Sequence, residues 1–160
     1  MTGSATTATG MATSALTVQL KPSSFLPLRS AISSPVHELM EHANMIYRAV
    51  FHVDMDEVKT FSLALANVAN LLRAIPEKHY DLVLLFNGPA VTLLQSEECA
   101  QYREEIWQLQ QARVSFKVCR NALNRFNVAP ENLIEGCELV PAGVVTLIEL
   151  QQDGYAYIKP

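Results

Sequence analysis

Glycine is scarce in this chain, at six of 160 residues. Neither Gly-x-Gly-x-x-Gly nor Gly-x-x-x-x-Gly-Lys-Ser/Thr occurs, so the two common backbone cradles for nucleotide phosphates are absent. Clustered Lys and Arg are missing too. With a net charge of −4 and a pI near 5.5, the sequence has no footprint for nucleic acid or for an anionic membrane surface. No apolar run approaches the roughly 20 residues that a membrane-crossing helix requires. The three cysteines, Cys99, Cys119 and Cys137, are odd in number and widely spaced, and no Cys-x-x-Cys is present. That excludes a fully paired disulfide framework and fits reduced thiols in a cytoplasmic protein. His37 and His42 stand five apart, a poor geometry for zinc. No metal and no cofactor is expected.

Acidic residues are absent from residues 1–37, where thirteen Ser or Thr surround Lys21 and Arg29. Such a composition cannot easily build a core, and these residues read as a disordered leader ahead of one domain over 38–160. An acid-free Ser/Thr-rich start also has the look of a transit peptide. Arginine is too scarce for that reading to lead, and a flexible tail or an upstream start codon is favoured.

What is present is an alternation of strand and helix periods. "IYRAVFHV" (46–53) is a β-branched and aromatic run suited to a buried strand. Asp54 with Glu57 has the form of a capping box. Val58, Phe61, Leu65, Val68, Leu72 and Ile75 then recur at steps of three and four, the stripe of an amphipathic helix that Pro76 ends. "YDLVLLFN" (80–87) is a second strand closed by the turn signal Asn87-Gly88-Pro89. Ser96 opens a helix with Cys99, Tyr102, Ile106 and Leu109 on its buried stripe. "VSFKV" (114–118) is the third strand, followed by a short helix after Cys119 and a turn from Pro130 to Gly136. "CELV" (137–140) is the fourth strand. A helix from Pro141 carries Val144, Leu147 and Ile148 and is capped by Gly154, and "YAYIK" (155–159) is the fifth strand. Alternation at this spacing implies right-handed crossovers and a three-layer α/β/α sandwich around a mainly parallel five-stranded sheet covered on both faces.

In such sheets ligands gather beyond the carboxyl ends of the strands, where helix N-termini direct N–H groups at the site. Cys119 in "VSFKVCRNAL" (114–123) stands at one such end. A helix N-terminus with a neighbouring cation favours the thiolate, and Arg120 supplies that cation if its side chain turns inward. A thiolate there can attack a sulfane sulfur, hold it as a persulfide and pass it on without a metal. Cysteine is equally at home as buried filler, and position alone leaves both readings open.

"YRAVFHVDMDE", "LALANVANLL", "LVLLFNGPAV", "VSFKVCRNAL" and "AGVVTLIELQQDGYAYIKP", in this order and spacing, resemble the DsrE/DsrF-like family, in particular its small stand-alone members. The resemblance spans about residues 46–160. It implies a flavodoxin-like α/β/α fold, a homotrimer or homohexamer, and, in sulfur-relay members, a persulfide-carrying cysteine after the third strand, where Cys119 stands. A sulfur donor or acceptor protein would then be a partner.

Arg120, Asn121, Asn87 and Gly88 are the supporting candidates, the last two because a strand end beside that of Cys119 has N–H groups able to hold an anion. A plain turn is the competing reading of Asn87-Gly88. Cys99 and Cys137 read as core, and Asn67 and Asn70 as structural. His52 next to Asp54 invites an acid–base reading, but alternate strand residues face opposite sides of a sheet, and one lone histidine is more often structural. Three functions follow in order: intracellular sulfur handling through Cys119, a non-enzymatic oligomeric interaction module, and a nucleotide-binding flavodoxin-like protein.

Overall fold

Five strands, Tyr47–Val53 (β1), Tyr80–Phe86 (β2), Ser115–Cys119 (β3), Cys137–Val140 (β4) and Ala156–Ile158 (β5), form one all-parallel sheet of order β4-β3-β2-β1-β5. The computed structural model describes residues 45–75 and 79–160. The leader over residues 1–37, His37, His42 and Pro76 lie outside them. The last five residues of β1 and of β2 are buried and, His52 apart, apolar, as parallel strands covered on both faces require.

The connections explain the layering. From β1 to β4 the sheet grows in one direction, and right-handed crossovers therefore place Val58–Ala74 (α1), Arg103–Gln111 (α2) and Arg120–Phe126 (α3) on one face. β5 returns to the far side of β1, so its crossover helix Gly143–Gln152 (α4) lies on the other face. Side chains sort accordingly. Phe51, Val53, Leu82, Leu84, Phe86, Phe116 and Val118 enter the large core under α1, α2 and α3. Val50, Val83 and Leu85 meet Leu147 of α4 in a small second core. The result is the expected flavodoxin-like three-layer sandwich with strongly unequal layers.

Aromatic contacts tie the large core together. Phe61 of α1 meets Phe86 edge-on at 5.9 Å and Tyr102 at 5.2 Å, and Phe86 stacks on Phe116 at 6.2 Å. The Tyr80 hydroxyl donates to the Ala112 carbonyl at 2.9 Å and fixes the end of α2 to the start of β2.

Several local readings give way to longer-range contacts. Asp54 does not cap α1. The N-cap is Glu57, whose carboxylate accepts from the Thr60 hydroxyl at 3.2 Å and caps no backbone N–H of the helix, while Asp54 forms an ion pair with Lys159 from the far end of the chain. The segment after β2 starts as a 3-10 helix, Gly88–Leu94, and regular helix begins only at Arg103. Leu147 is the buried residue of the expected α4 stripe, whereas Val144 and Ile148 are exposed. One ten-residue helix is the cover of that sheet face among the described residues, and it has no further layer to pack its outer side against.

Candidate functional site

The registers Val53↔Phe86 and Phe86↔Val118 bring the ends of β1, β2 and β3 level. The next residues, Asp54, Asn87 and Cys119, therefore form a row along the carboxyl edge of the sheet, with side chains on the α4 face by strand alternation. Cys119 is the last residue of β3 and the N-cap of α3, with an extended backbone, and it is 3% exposed. Its strand lies inside the sheet, flanked by β2 and β4.

Above this row sits the first turn of α4. The Gly143 N–H donates to Cys119 Sγ at 3.2 Å. A Cβ built on Gly143 would stand 3.2 Å from Cys119 Cβ and 3.2 Å from Asn87 Cγ. Glycine here lets the helix end descend onto the two strand ends until its first amide reaches the sulfur. An N-terminal helix amide carries partial positive charge and has no partner within the helix, so sulfur is an appropriate acceptor, and an anionic sulfur still more so.

The supporting candidates divide. Asn87 is brought to the site through its packing beneath Gly143. Gly88 belongs to the turn: its φ of +55 and an approach of 2.8 Å between a built Cβ and the Asp54 carbonyl oxygen require glycine. The idea that Asn87 and Gly88 present free N–H groups is corrected. The Gly88 N–H donates to Asn87 Oδ1 at 2.7 Å and the Asn87 N–H to the Val53 carbonyl at 3.0 Å. Arg120 and Asn121 are exposed on the first turn of α3, and among the described residues no hydrogen bond or ion pair joins either to Cys119. The inward-turned Arg120 is likewise corrected. The side chain of the first helical residue after the strand leaves toward water, and the α4 amide takes the place assigned to it.

Gly143 was missed because it has no side chain and belongs to no apolar pattern. The available signal was its place just after Pro141, where a helix begins.

The other thiols are structural in placement. Cys99 is fully buried, donates to the Gln95 carbonyl at 3.1 Å, and burial pushes its thiol up from the ordinary value. Cys137 is partly buried at the start of β4, and burial, with the nearby Cys99, pushes its thiol up to about 12. Asn70 accepts from Arg73 on its own helix, and α1 covers the face opposite α4, which keeps Asn67 and Asn70 away from Cys119.

A second polar group occupies the same sheet edge on β1 and β5. His52 Nδ1 lies 2.9 Å from the Tyr157 hydroxyl, Lys159 pairs with Asp54, and His52 Nε2 is buried without a partner among the described residues. Residues two apart on a strand share a face, so Asp54 does act on His52. Burial nevertheless dominates and lowers the histidine's pKa, Asp54 opposes this, and Lys159 adds to it. Among the described residues no cluster of three His, Cys, Asp or Glu is placed to hold a metal, and no helix is long and apolar enough to cross a membrane.

An all-parallel α/β/α domain with a buried cysteine at an inner strand end, under the first amide of the opposite helix, defines the class. The model of the DsrE/DsrF-like family matches residues 48–160, and the chain belongs to that family. At the level of the family this implies sulfur-relay-type function. The chain is similar to the solved structure of a protein of unknown function from Methanobacterium thermoautotrophicum, with 29% identity and a TM-score of 0.65 over 71% of this chain and 99% of that one. It also shares its fold with a protein of unknown function from Bacteroides thetaiotaomicron, with 20% identity and a TM-score of 0.50 over 70% and 93% of the two chains. No curated protein matches it significantly.

Proposed function

We propose that the protein handles sulfur through Cys119, which accepts a sulfane sulfur as a persulfide and hands it to a second thiol. The observation that carries this reading is the Gly143 N–H donated to Cys119 Sγ at 3.2 Å. In the first step the Cys119 thiolate attacks the outer sulfur of a donor persulfide, R–S–SH. The new S–S bond forms as the donor's own S–S bond breaks, and the donor leaves as the thiolate R–S⁻. Cys119–S–SH results, with no net oxidation. An acceptor thiolate then attacks the outer sulfur and releases Cys119 as a thiolate, which the Gly143 amide is placed to receive.

The sulfur is nearly enclosed, so exchange requires α4's first turn to part from the strand ends. That turn carries no side-chain cap. It begins with an exposed proline and a half-exposed alanine, Pro141 and Ala142. A homo-oligomer of trimer or hexamer type, and a sulfur donor or acceptor protein as partner, belong to the same proposal. The exposed side chains Val144 and Val145 directly follow Gly143, with Ile148 one turn further on, so an assembly formed through them would border the thiol.

The test is intact-mass measurement before and after exposure to a persulfide donor, with peptide mapping. Gain of about 32 Da on Cys119 supports the proposal; gain on Cys99 or Cys137 alone, or none, refutes it and leaves the non-enzymatic interaction module.

A further inference from the structure

At the opposite end of β3 lies a half-open cavity of about 900 Å³, bordered by α2, the turn from Arg113 into β3 and the approach to β4. Cys119 is four residues further along the strand, or about 13 Å at the rise of a β-strand, so this cavity is separate from the thiol site. Its volume falls within the roughly 300–1,000 Å³ typical of small-molecule sites.

The lining has two halves. Ile106, Val114 and Phe116 form an apolar floor continuous with the large core. Over that floor stands Trp107, the single tryptophan of the chain, left 53% exposed. The polar half is set by Arg103, whose guanidinium donates to the Ser96 carbonyl at 3.4 Å, and by Arg113, and among the described residues no carboxylate pairs with either. Of the two acidic residues on the lining, Glu138 is already held by Lys117 at 2.6 Å, and only Glu135 offsets the arginines. The cavity is thus locally cationic in a chain of net charge −4.

Two backbone features organise this geometry. Arg113 adopts a left-handed conformation, φ +62, just after the end of α2, where its N–H bonds the Gln110 carbonyl at 2.8 Å. Glycine or asparagine usually fills that position because they tolerate the conformation. Here the site carries a strained arginine instead, and what a glycine would lack is the guanidinium on the cavity wall. Across the cavity, Gly136 has φ +84, and a Cβ there would come within 2.6 Å of Gln110 Nε2. Its absence lets the Gln110 amide donate to the Glu135 carbonyl at 2.8 Å, which ties α2 to the β4 side.

We propose that this cavity binds a small aromatic anion, its carboxylate or phosphate held by Arg113, with Arg103 adding positive charge from the start of α2, and its ring laid against Trp107. Guanidinium groups pair with planar or tetrahedral oxyanions through paired N–H donors, and an indole half in water gains contact area from a flat ring. The inference rests on nothing at Cys119.

The test uses the full chain at neutral pH and low salt. Adenosine monophosphate and naphthalene-2-carboxylate are titrated by calorimetry with Trp107 emission as local reporter, and adenosine and inorganic phosphate are titrated as the separate halves. Saturable binding of either whole probe, tighter than its half and accompanied by a change in Trp107 emission, supports the site, and the probe that binds tells a phosphate from a carboxylate source. Arg113→Gly relieves the left-handed backbone while removing the guanidinium, and is expected to weaken binding by about tenfold without lowering the melting temperature. Arg103→Gln is expected to weaken it in the same sense. Absence of saturation by either probe below about 1 mM, a weak limit for a ligand of this size, would overturn the proposal. So would an Arg113→Gly variant that binds as tightly as the parent.

Discussion

The Gly143 amide and the Cys119 sulfur lie 3.2 Å apart, although 24 residues separate them in the chain. The contact joins the carboxyl edge of the sheet to the α4 layer, because Cys119 ends an inner strand and Gly143 begins the helix that covers this face among the described residues. A Cβ at residue 143 meets Cys119 Cβ and Asn87 at 3.2–3.3 Å, tighter than ordinary contact. Gly143→Ala should therefore lift the helix end by a few tenths of an ångström and lengthen the N–H to sulfur contact. Persulfide yield at Cys119 should fall by about tenfold, the cost of losing about 1.4 kcal/mol of hydrogen bonding to an anion. Stability should change by less than about 1.5 kcal/mol, since alanine's helix propensity offsets the crowding. Equal persulfide yield in the variant and the parent would show that the amide plays no part.

The three thiols should separate under native alkylation. Cys137, pushed up to about 12, holds almost no thiolate near pH 8, and Cys99 is fully buried with its thiol raised by burial, so both should stay unmodified. Iodoacetamide should label Cys119 first, slowly because it is 3% exposed. Peptide mapping of a time course decides the order, and prior labelling of Cys137 or Cys99 would contradict the assignment.

Much of this arrangement was legible in the chain, and what escaped has a common cause. The buried parallel strands announce themselves as continuous apolar runs such as "LVLLF", and Cys119 falls at the end of one of them. Asp54 shows why local signatures fail: its capping pattern with Glu57 is sound, yet Lys159, 105 residues away, takes its carboxylate. Arg120 failed for a related reason, since adjacency in sequence does not turn a side chain inward. Val144, Leu147 and Ile148 share one helical stripe in the sequence, yet of the three only Leu147 is buried, and no sequence period reveals that one helix covers the α4 face among the described residues.

Acid should loosen the β1–β5 edge. The folded state lowers the His52 pKa from its ordinary 6.5, chiefly through burial. Between the folded value and 6.5 the unfolded chain binds more protons, so stability rises with pH across that window, and the contribution is fully present above 6.5 and lost as pH falls toward the folded value. Asp54, held low by its hydrogen bond from Lys159, acts in the same sense at lower pH, below its ordinary 3.8. His52→Leu removes both the proton site and the unpartnered Nε2, and the exposed Tyr157 hydroxyl can turn to water. Its melting temperature relative to the parent should therefore be higher at pH 5.5 than at pH 8. A difference independent of pH would show that His52 does not titrate across this range.

The last prediction concerns the outer side of α4. Val144, Val145 and Ile148 are 58%, 53% and 50% exposed, and their spacing puts them on one flank of the helix, beside the buried Leu147. Three branched apolar side chains left half in water forgo about half of the roughly 1.5–3 kcal/mol each that full burial gives over full exposure. A homo-oligomer closing over this face would recover part of that and bring a second chain to the rim of the Cys119 site. Light scattering should accordingly report a multiple of 17.7 kDa at micromolar concentration. Val145→Lys with Ile148→Glu should reduce it to the monomer with the circular dichroism spectrum unchanged, because neither residue belongs to either core. If the parent is monomeric, or the double variant keeps its mass, assembly through α4 is wrong. Persulfide formation measured on the dissociated variant then separates the two ideas: retained yield leaves Cys119 working within one subunit, and lost yield makes the neighbouring chain part of the site.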